Sequence, residues 1–299
     1  MHAIVIHETG GPEVLQWEEV PDPEPGDGEV LIRVRAAGVN PVDWKYRSGI
    51  AEPELPAILG HEASGVVEAS NSDRFSEGDE VFGYAASGGY AELATTPATA
   101  IAFKPEALSH EEASTIQVAA QTAWQSLFDV AGLESGQTVL VTGAAGGVGH
   151  YAVQLKRAGA RVIGTGSARN RDFVLGLGAD DYVDYTEQDV AEAISDVDVA
   201  FDTVGAETEK LVATVRDGGF IVTIASAPPE EAAKERDIRA AIHVTKPNPD
   251  ELGGIADLMA ADEVRVVIQE LIPITEARRA HELSEAGHVR GKLVLSVSD

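Results

Sequence analysis

The chain has 299 residues, 44% of them hydrophobic, with 50 Asp and Glu against 22 Lys and Arg, a formal charge of −28 at pH 7. Such a length buries one large core or two ordinary ones. The absence of cysteine excludes disulfides, thiolate zinc sites and a cysteine nucleophile, and the charge argues against nucleic acid and anionic membranes as partners. No apolar run is long enough to span a bilayer and no charged-then-apolar signal opens the chain, so the expected location is the cytoplasm. The acids are dispersed (Glu18, Glu77, Asp180, Glu230, Asp262). Dispersion favours a surface solvated for a salty cytoplasm over an acidic partner-binding face.

Residues 1–110 read as β-rich. MHAIVIHETG, LQWEEV and EVLIRVRAAGV are short apolar or alternating stretches divided by GGPEV and PDPEPGDG. HEASGVVEAS, DEVFGY, YAELATTP and ATAIAFKP continue the series at barrel-like spacing. At Ser109 the character changes. Ser109 with Glu112 three residues on is a capping signal, and an alanine-rich helical stretch runs to Val130.

The stretch Val139–Gly149 organises the rest of the chain. Val139 to Thr142 read as a buried strand broken at Gly143, and glycines 143, 146, 147 and 149 open a helix through Val153, Leu155 and Lys156. A strand, a glycine-rich turn and a helix N-terminus together gather backbone N–H groups for a pyrophosphate. The spacing is a variant of G-x-G-x-x-G, because Ala145 stands in the middle position. The candidate phosphate contacts are Gly143, Ala145, Gly146, Gly147, Val148 and Gly149; the alternative is a tight strand–helix turn with no ligand.

Strands QTVLVTG, ARVIGT, VDVAFDTV and GFIVTIAS then alternate with helical stretches expected at 147–158, 168–177, 187–195 and 206–216. That alternation predicts a doubly wound parallel sheet. DIRAAIHVT (237–245) reads as one more strand, at the sheet edge, before the breaker Lys246-Pro-Asn-Pro. Helix 250–261, strand EVRVVIQELIP, helix TEARRAHELSEAG and strand KLVLSV return to the β-rich style of the start. The prediction is a split catalytic domain, 1–112 and 249–299, around an inserted nucleotide-binding domain, 113–248.

After the second strand of the nucleotide fold the chain reads Gly164-Thr-Gly-Ser-Ala-Arg169-Asn170-Arg171, without the acid that binds a ribose 2′-hydroxyl in NAD sites. A 2′-phosphate pairs instead with a guanidinium and a hydroxyl, which points to Ser167 and Arg169 and to NADPH. Arg171 reads as a helix-surface residue.

Taken together, NPVDWKYRSG (40–49), LPAILGHEASGVVEA (55–69), the stretch 143–180, FDTVG (201–205) and HVRGKLVLSV (288–297) resemble one family over nearly the whole chain. It is the zinc-independent quinone oxidoreductase, zeta-crystallin-like group of medium-chain dehydrogenases/reductases. The resemblance implies a GroES-like β-barrel catalytic domain plus a Rossmann domain, an active site in the cleft between them, and metal-free reduction of quinones or activated carbon–carbon double bonds by NADPH. Zinc alcohol dehydrogenases of the same superfamily carry a cysteine about where Asn40 stands and a Gly-His-Glu motif, seen here as Gly60-His61-Glu62. A catalytic zinc needs three protein ligands. Without cysteine, His61 would have to recruit Glu62, Asp43 or another partner, so no metal site is expected and His61 reads as a hydrogen-bonded turn residue.

Family matching further places Asn40 near the cofactor ribose, Thr122 by the nicotinamide ring, Ala225 and Ser226 after the strand GFIVTIA, and Tyr185 near the adenosine phosphate or buried at a strand end. Lys45 sits where some members place a tyrosine. It could polarise a carbonyl or donate a proton, with Tyr46 the runner-up; the other reading is a surface lysine paired with Asp43. Catalysis is expected to be mostly positioning by Asn40, Lys45 and Tyr46 around a small-molecule quinone or enone. Substrate-lining loops are expected around 45–55, 84–90 and 240–250, with Tyr46, Tyr84 and Tyr90 as candidates. A homodimer paired through the 237–245 edge is the expected assembly. The competing functions are a zinc-type alcohol dehydrogenase and a non-catalytic NADPH-binding sensor.

Overall fold

The computed structural model describes residues 1–155 and 159–297. Lys156, at the expected end of the helix opened by the glycine loop, lies outside the described residues. The chain forms two units: Met1–Gln121 joined by the segment from Lys246 onward, and Thr122–Thr245.

In the first unit, a seven-stranded sheet is built on the long strand Glu29–Val39, which alternates buried Val30, Ile32 and Val34 with a solvent-facing Arg33. Glu62–Ser70 and Lys292–Ser296 flank it antiparallel; Leu93–Pro97 also pairs with it. Beyond them lie Glu80–Tyr84, Ile101–Phe103 and Ile268–Pro273. A three-stranded sheet joins Gln16–Glu19, His2–Ile6 and Ala57–Ile58. Apolar clusters form around Ile6, Val39, Leu59, Ile272 and Leu293, around Ile32, Val67, Phe75, Val81 and Ile101, and, more modestly, around Ala3, Val5 and Ala91. The register sets Leu293 opposite Val39, so the next residues, Lys292 and Asn40, meet.

The second unit is a six-stranded sheet, parallel throughout, in the order Asp181–Asp184, Arg161–Gly166, Thr138–Val141, Val197–Asp202, Val215–Thr223, Arg239–Ile242. Thr138–Val141 comes first in the chain and lies between Arg161–Gly166 and Val197–Asp202, with the next two strands of the chain on one side and the later three on the other. That makes its carboxyl end the topological switch point where nucleotides bind in such sheets. Its neighbours form a core with Ile163, Ala200, Leu211 and Ile221.

The helical stretch after Ser109 is not one regular helix. The capping box forms as read, with the Glu112 N–H donating to Ser109 Oγ at 3.2 Å and the Ser109 N–H donating to Glu112 Oε2 at 2.9 Å. Beyond it the backbone alternates α turns (His110–Ala113, Gln121–Trp124) with wider π turns (Ile116–Ala120, Gln125–Val130). Residues before 122 pack in the first unit because the Val118 N–H donates to Glu62 Oε2 at 2.7 Å and Gln121 Nε2 to the Asn248 carbonyl at 2.9 Å. The helix expected at 206–216 is a 3₁₀ segment, Thr208–Ala213, cut short because Val215 already begins a strand. The strand Asp181–Asp184 has no counterpart among the expected ones; acids at both of its ends hide its short apolar centre.

Candidate active site

The motif at 40–49 folds as a short helix, Pro41–Arg47, with Asn40 as its N-cap and proline at the first position, where the missing N–H costs nothing. Asp43 closes the cap, its Oδ2 accepting the Asn40 backbone N–H at 2.8 Å. That carboxylate is fully buried and takes two more donors: Tyr90 Oη–H at 2.9 Å and His61 Nδ1–H at 2.6 Å. Burial alone would raise the Asp43 pKa, but the His61 hydrogen bond and charge outweigh it and hold it below the ordinary carboxylate value. For His61 burial works downward, and the Asp43 bond and charge reverse it, so the imidazole pKa is raised. Tyr90 is pushed well above its normal value, first by burial and then by Asp43. The Tyr46 ring lies against His61, with centroids 4.9 Å apart.

Behind this group Arg47, almost wholly buried, donates to Glu285 Oε1 at 2.6 Å, to the Gly10 carbonyl at 3.2 Å and to His281 Nδ1 at 3.4 Å. An arginine can only donate, so His281 Nδ1 accepts and its hydrogen sits on Nε2.

A second buried cluster joins Asn40, Glu62 and Lys292. Asn40 Nδ2 donates to Glu62 Oε1 at 2.8 Å, and the Lys292 ammonium donates to Asn40 Oδ1, to Glu62 Oε1 at 3.0 Å and to the Val39 carbonyl at 3.2 Å. Gly38 leaves room for it: a Cβ there would stand 2.3 Å from Glu62 Oε1. Glu62 is thus committed to Lys292, Asn40 and Val118, and is turned from the role of metal partner to His61. Among the described residues no three or more His, Asp or Glu side chains converge as a set able to hold a metal ion.

In the second unit the loop after Thr138–Val141 is tied from both sides. Asp202, buried at the end of the neighbouring strand, accepts Thr142 Oγ1–H at 2.7 Å and the N–H groups of Val204 and Gly205 at 3.0 and 3.1 Å. His150 Nδ1–H donates to the Gly146 carbonyl at 2.9 Å. Position 149 demands glycine, since a Cβ would lie 2.2 Å from the Gly143 carbonyl. Ala145 and Gly149 are buried, whereas Gly143 and Gly146 to Val148 keep part of their surface open. One strand over, Ser167 follows Gly166, its carbonyl accepting Tyr182 Oη–H at 2.8 Å, and Arg169 is exposed. A cradle that excludes a Cβ, next to a turn that carries no acid of its own and bears an exposed arginine, fits a dinucleotide with a 2′-phosphate, although the Asp184 carboxylate of the next strand bonds the Ala168 backbone in that turn.

Two family models match: one described as alcohol dehydrogenase GroES-like domain, over residues 26–106, and one described as zinc-binding dehydrogenase, over 177–295. A mouse quinone oxidoreductase is 33% identical, the alignment covering 99% of this chain and 97% of that protein. The chain belongs to the quinone oxidoreductase family of medium-chain dehydrogenases/reductases. Among solved structures, the Coxiella burnetii quinone oxidoreductase is 36% identical with a TM-score of 0.94, covering 100% of this chain and 99% of that one. The Escherichia coli quinone oxidoreductase complexed with NADPH is 28% identical with a TM-score of 0.92, over 99% and 100%. Both halves of the expected fold, GroES-like and Rossmann, are therefore those of this family of oxidoreductases.

Against that family background the expected residues fall in two groups. Asn40, Lys45 and Tyr46 share the capped helix and its N-cap in the GroES-like unit. Asn40 is buried with its carboxamide held at both ends. The Lys45 ammonium lies 5.9 Å from the Trp44 ring centroid, and the partners of Asp43 are Asn40, His61 and Tyr90. In the Rossmann unit, Thr122 is buried with its hydroxyl against that of Thr245. Ser226 shares a hydrogen bond with Thr208 at 2.6 Å, and the Ala225 N–H reaches Thr223 Oγ1 at 3.3 Å. Tyr185 is 59% exposed at the end of its strand, so it is no buried strand-end tyrosine. Tyr90, suggested as a pocket residue, is buried on Asp43. Arg171 lies over the Tyr182 ring at 5.8 Å from its centroid. Of the partners the sequence offered His61, Asp43 is the one it meets, as a hydrogen-bond acceptor; the sequence did not point to Lys292 as the partner of Asn40 and Glu62.

Proposed function

We propose that the protein is an NADPH-dependent, metal-free oxidoreductase that passes a hydride to quinones or α,β-unsaturated carbonyls. The observation that carries the reading is the glycine loop paired with the Ser167–Arg169 turn, in a chain of the quinone oxidoreductase family. Bound NADPH would supply the hydride. Gly143 and Ala145 to Gly149 would hold the pyrophosphate through backbone N–H groups. Ser167 and Arg169 would take the 2′-phosphate, and Tyr185, exposed beside that turn, would cover the adenosine end. Thr122, Ala225 and Ser226 would position the nicotinamide end.

In the GroES-like unit Asn40 keeps its helix cap and carboxamide rigid, and Lys45 and Tyr46 orient the acceptor and polarise its oxygen. Commitment of Glu62 to Lys292 and the lack of cysteine support metal-free action. We also propose a cytoplasmic homodimer paired through the Arg239–Ile242 edge, where Ile242 and Val244 are exposed. No helix among the described residues is long and apolar enough to cross a membrane.

The test is steady-state oxidation of NADPH and of NADH, with EDTA, against 1,2-naphthoquinone, benzoquinone, 2-cyclohexenone and an alkenal in molar KCl. Turnover with NADPH preferred supports the reading, and the acceptor ranking separates quinone from enone reduction. Tight NADPH binding without turnover would favour the sensor role, and loss of activity to EDTA the zinc enzyme.

A further inference from the structure

An acceptor that has gained a hydride carries one negative charge and must still gain a proton. We propose that His61 is the proton donor, with Asp43 as the residue that positions it. The inference rests on the reductase reading.

The geometry is that of a general acid held by a carboxylate. Asp43 is fully buried and receives Asn40 N–H, Tyr90 Oη–H and His61 Nδ1–H, all within 2.9 Å. A carboxylate with three donors stays ionised, which fixes the hydrogen on Nδ1 and leaves Nε2 as the exchanging nitrogen. The His61 side chain keeps 23% of its surface open, while Gly60 before it and Glu62 after it are buried. The Tyr46 ring, tilted 54° against the imidazole, limits its rotation. Helix capping by Asp43 needs only the Asn40 N–H, so the cap does not account for the histidine. The charged and titratable groups around His61 are Asp43 and Tyr46 on the helix, Glu62 beside it, Tyr90, His281 beyond Asp43, and Lys292 beyond Glu62. The Asp43 bond outweighs burial and raises the imidazole pKa, which keeps a larger protonated fraction at neutral pH.

The step balances. The nicotinamide gives up a hydride and leaves oxidised; a quinone that receives it becomes a hydroquinone anion, and an enone becomes an enolate. The His61 Nε2–H bond breaks and a new O–H, or C–H at the enolate α-carbon, forms. Neutral imidazole then regains its proton from water.

His61→Gln in the full chain tests this by acceptor acidity. Tetrachloro-1,4-benzoquinone yields a strongly acidic hydroquinone that needs no donor, whereas an enolate needs one. We expect kcat for 2-cyclohexenone to fall about 100-fold and for tetrachlorobenzoquinone less than about 3-fold, with NADPH affinity by fluorescence unchanged. Asp43→Asn should shift the alkaline limb of the pH–rate profile to lower pH, and by NMR should lower the titration midpoint of His61 in the protein without NADPH. Equal losses on both acceptors, no loss, or a His61 midpoint indifferent to Asp43→Asn would overturn the assignment. So would activity removed by EDTA and restored by zinc. A wild-type chain that reduces no acceptor would overturn the reductase reading, and this assignment with it; wild-type turnover with an unaffected H61Q would overturn this assignment alone.

Discussion

Lys292 and Asn40, 252 positions apart in sequence, form one buried polar joint, the ammonium donating to the carboxamide oxygen and to Glu62 at 3.0 Å. A buried ion pair adds little net stability, yet removing one partner strands the other, at a cost of about 3–5 kcal/mol. Lys292→Met should therefore destabilise by about that much in urea unfolding, and Lys292→Met with Glu62→Gln by clearly less than the sum of the single changes. Additive losses would show that the two groups do not interact.

His281 gives the fold a pH limit. Burial pushes its pKa down to about 4, Asp43 opposes in part, and the Arg47 guanidinium pushes further down. A histidine in the unfolded chain titrates near ~6.5. Between these values the unfolded chain binds a proton that the folded chain refuses, so this contribution is complete above about pH 6.5 and is lost as pH falls toward 4. The gap corresponds to about 3 kcal/mol. His281→Gln should flatten the dependence of Tm on pH across that window; an unaltered slope would place the titration elsewhere.

Arg169 stands exposed on the turn after the second strand. Arg169→Ala should raise the NADPH Kd about tenfold, ~1.4 kcal/mol, and leave NADH binding within about twofold, because only NADPH carries the 2′-phosphate. Fluorescence titration of both cofactors checks it. Equal losses would mean that Arg169 supports the fold.

Salt acts on this surface in two opposing ways. Screening weakens exposed pairs such as Arg33–Glu68, each worth about 0–1 kcal/mol, and also relieves repulsion among the excess acids behind the charge of −28. The excess outnumbers the pairs among the described residues, so relief wins. Tm should rise by about 5 °C or more between low and molar KCl. A Tm that stays flat or falls would contradict the high-salt reading.

How much was legible in the sequence depends on how far apart the cooperating residues stand. The glycine loop shows because a backbone requirement, such as the missing Cβ at 149, can be met by one residue type alone. Ser109 and Glu112 show because a cap is local. The His61–Asp43 pair spans 18 positions and two elements, and Lys292 reaches Asn40 only because the last strand returns beside Glu29–Val39. Spacing along a chain carries no record of such pairings. The irregular stretch from Ile116 to Val130 was hidden too, since alanine-rich composition favours helix without setting its pitch.

The most direct measurement is the initial rate of NADPH oxidation with 1,2-naphthoquinone in molar KCl, with and without EDTA. The account predicts turnover with NADPH that clearly exceeds that with NADH and is unchanged by the chelator. No turnover despite saturable NADPH binding, or activity that EDTA abolishes and zinc restores, would contradict it.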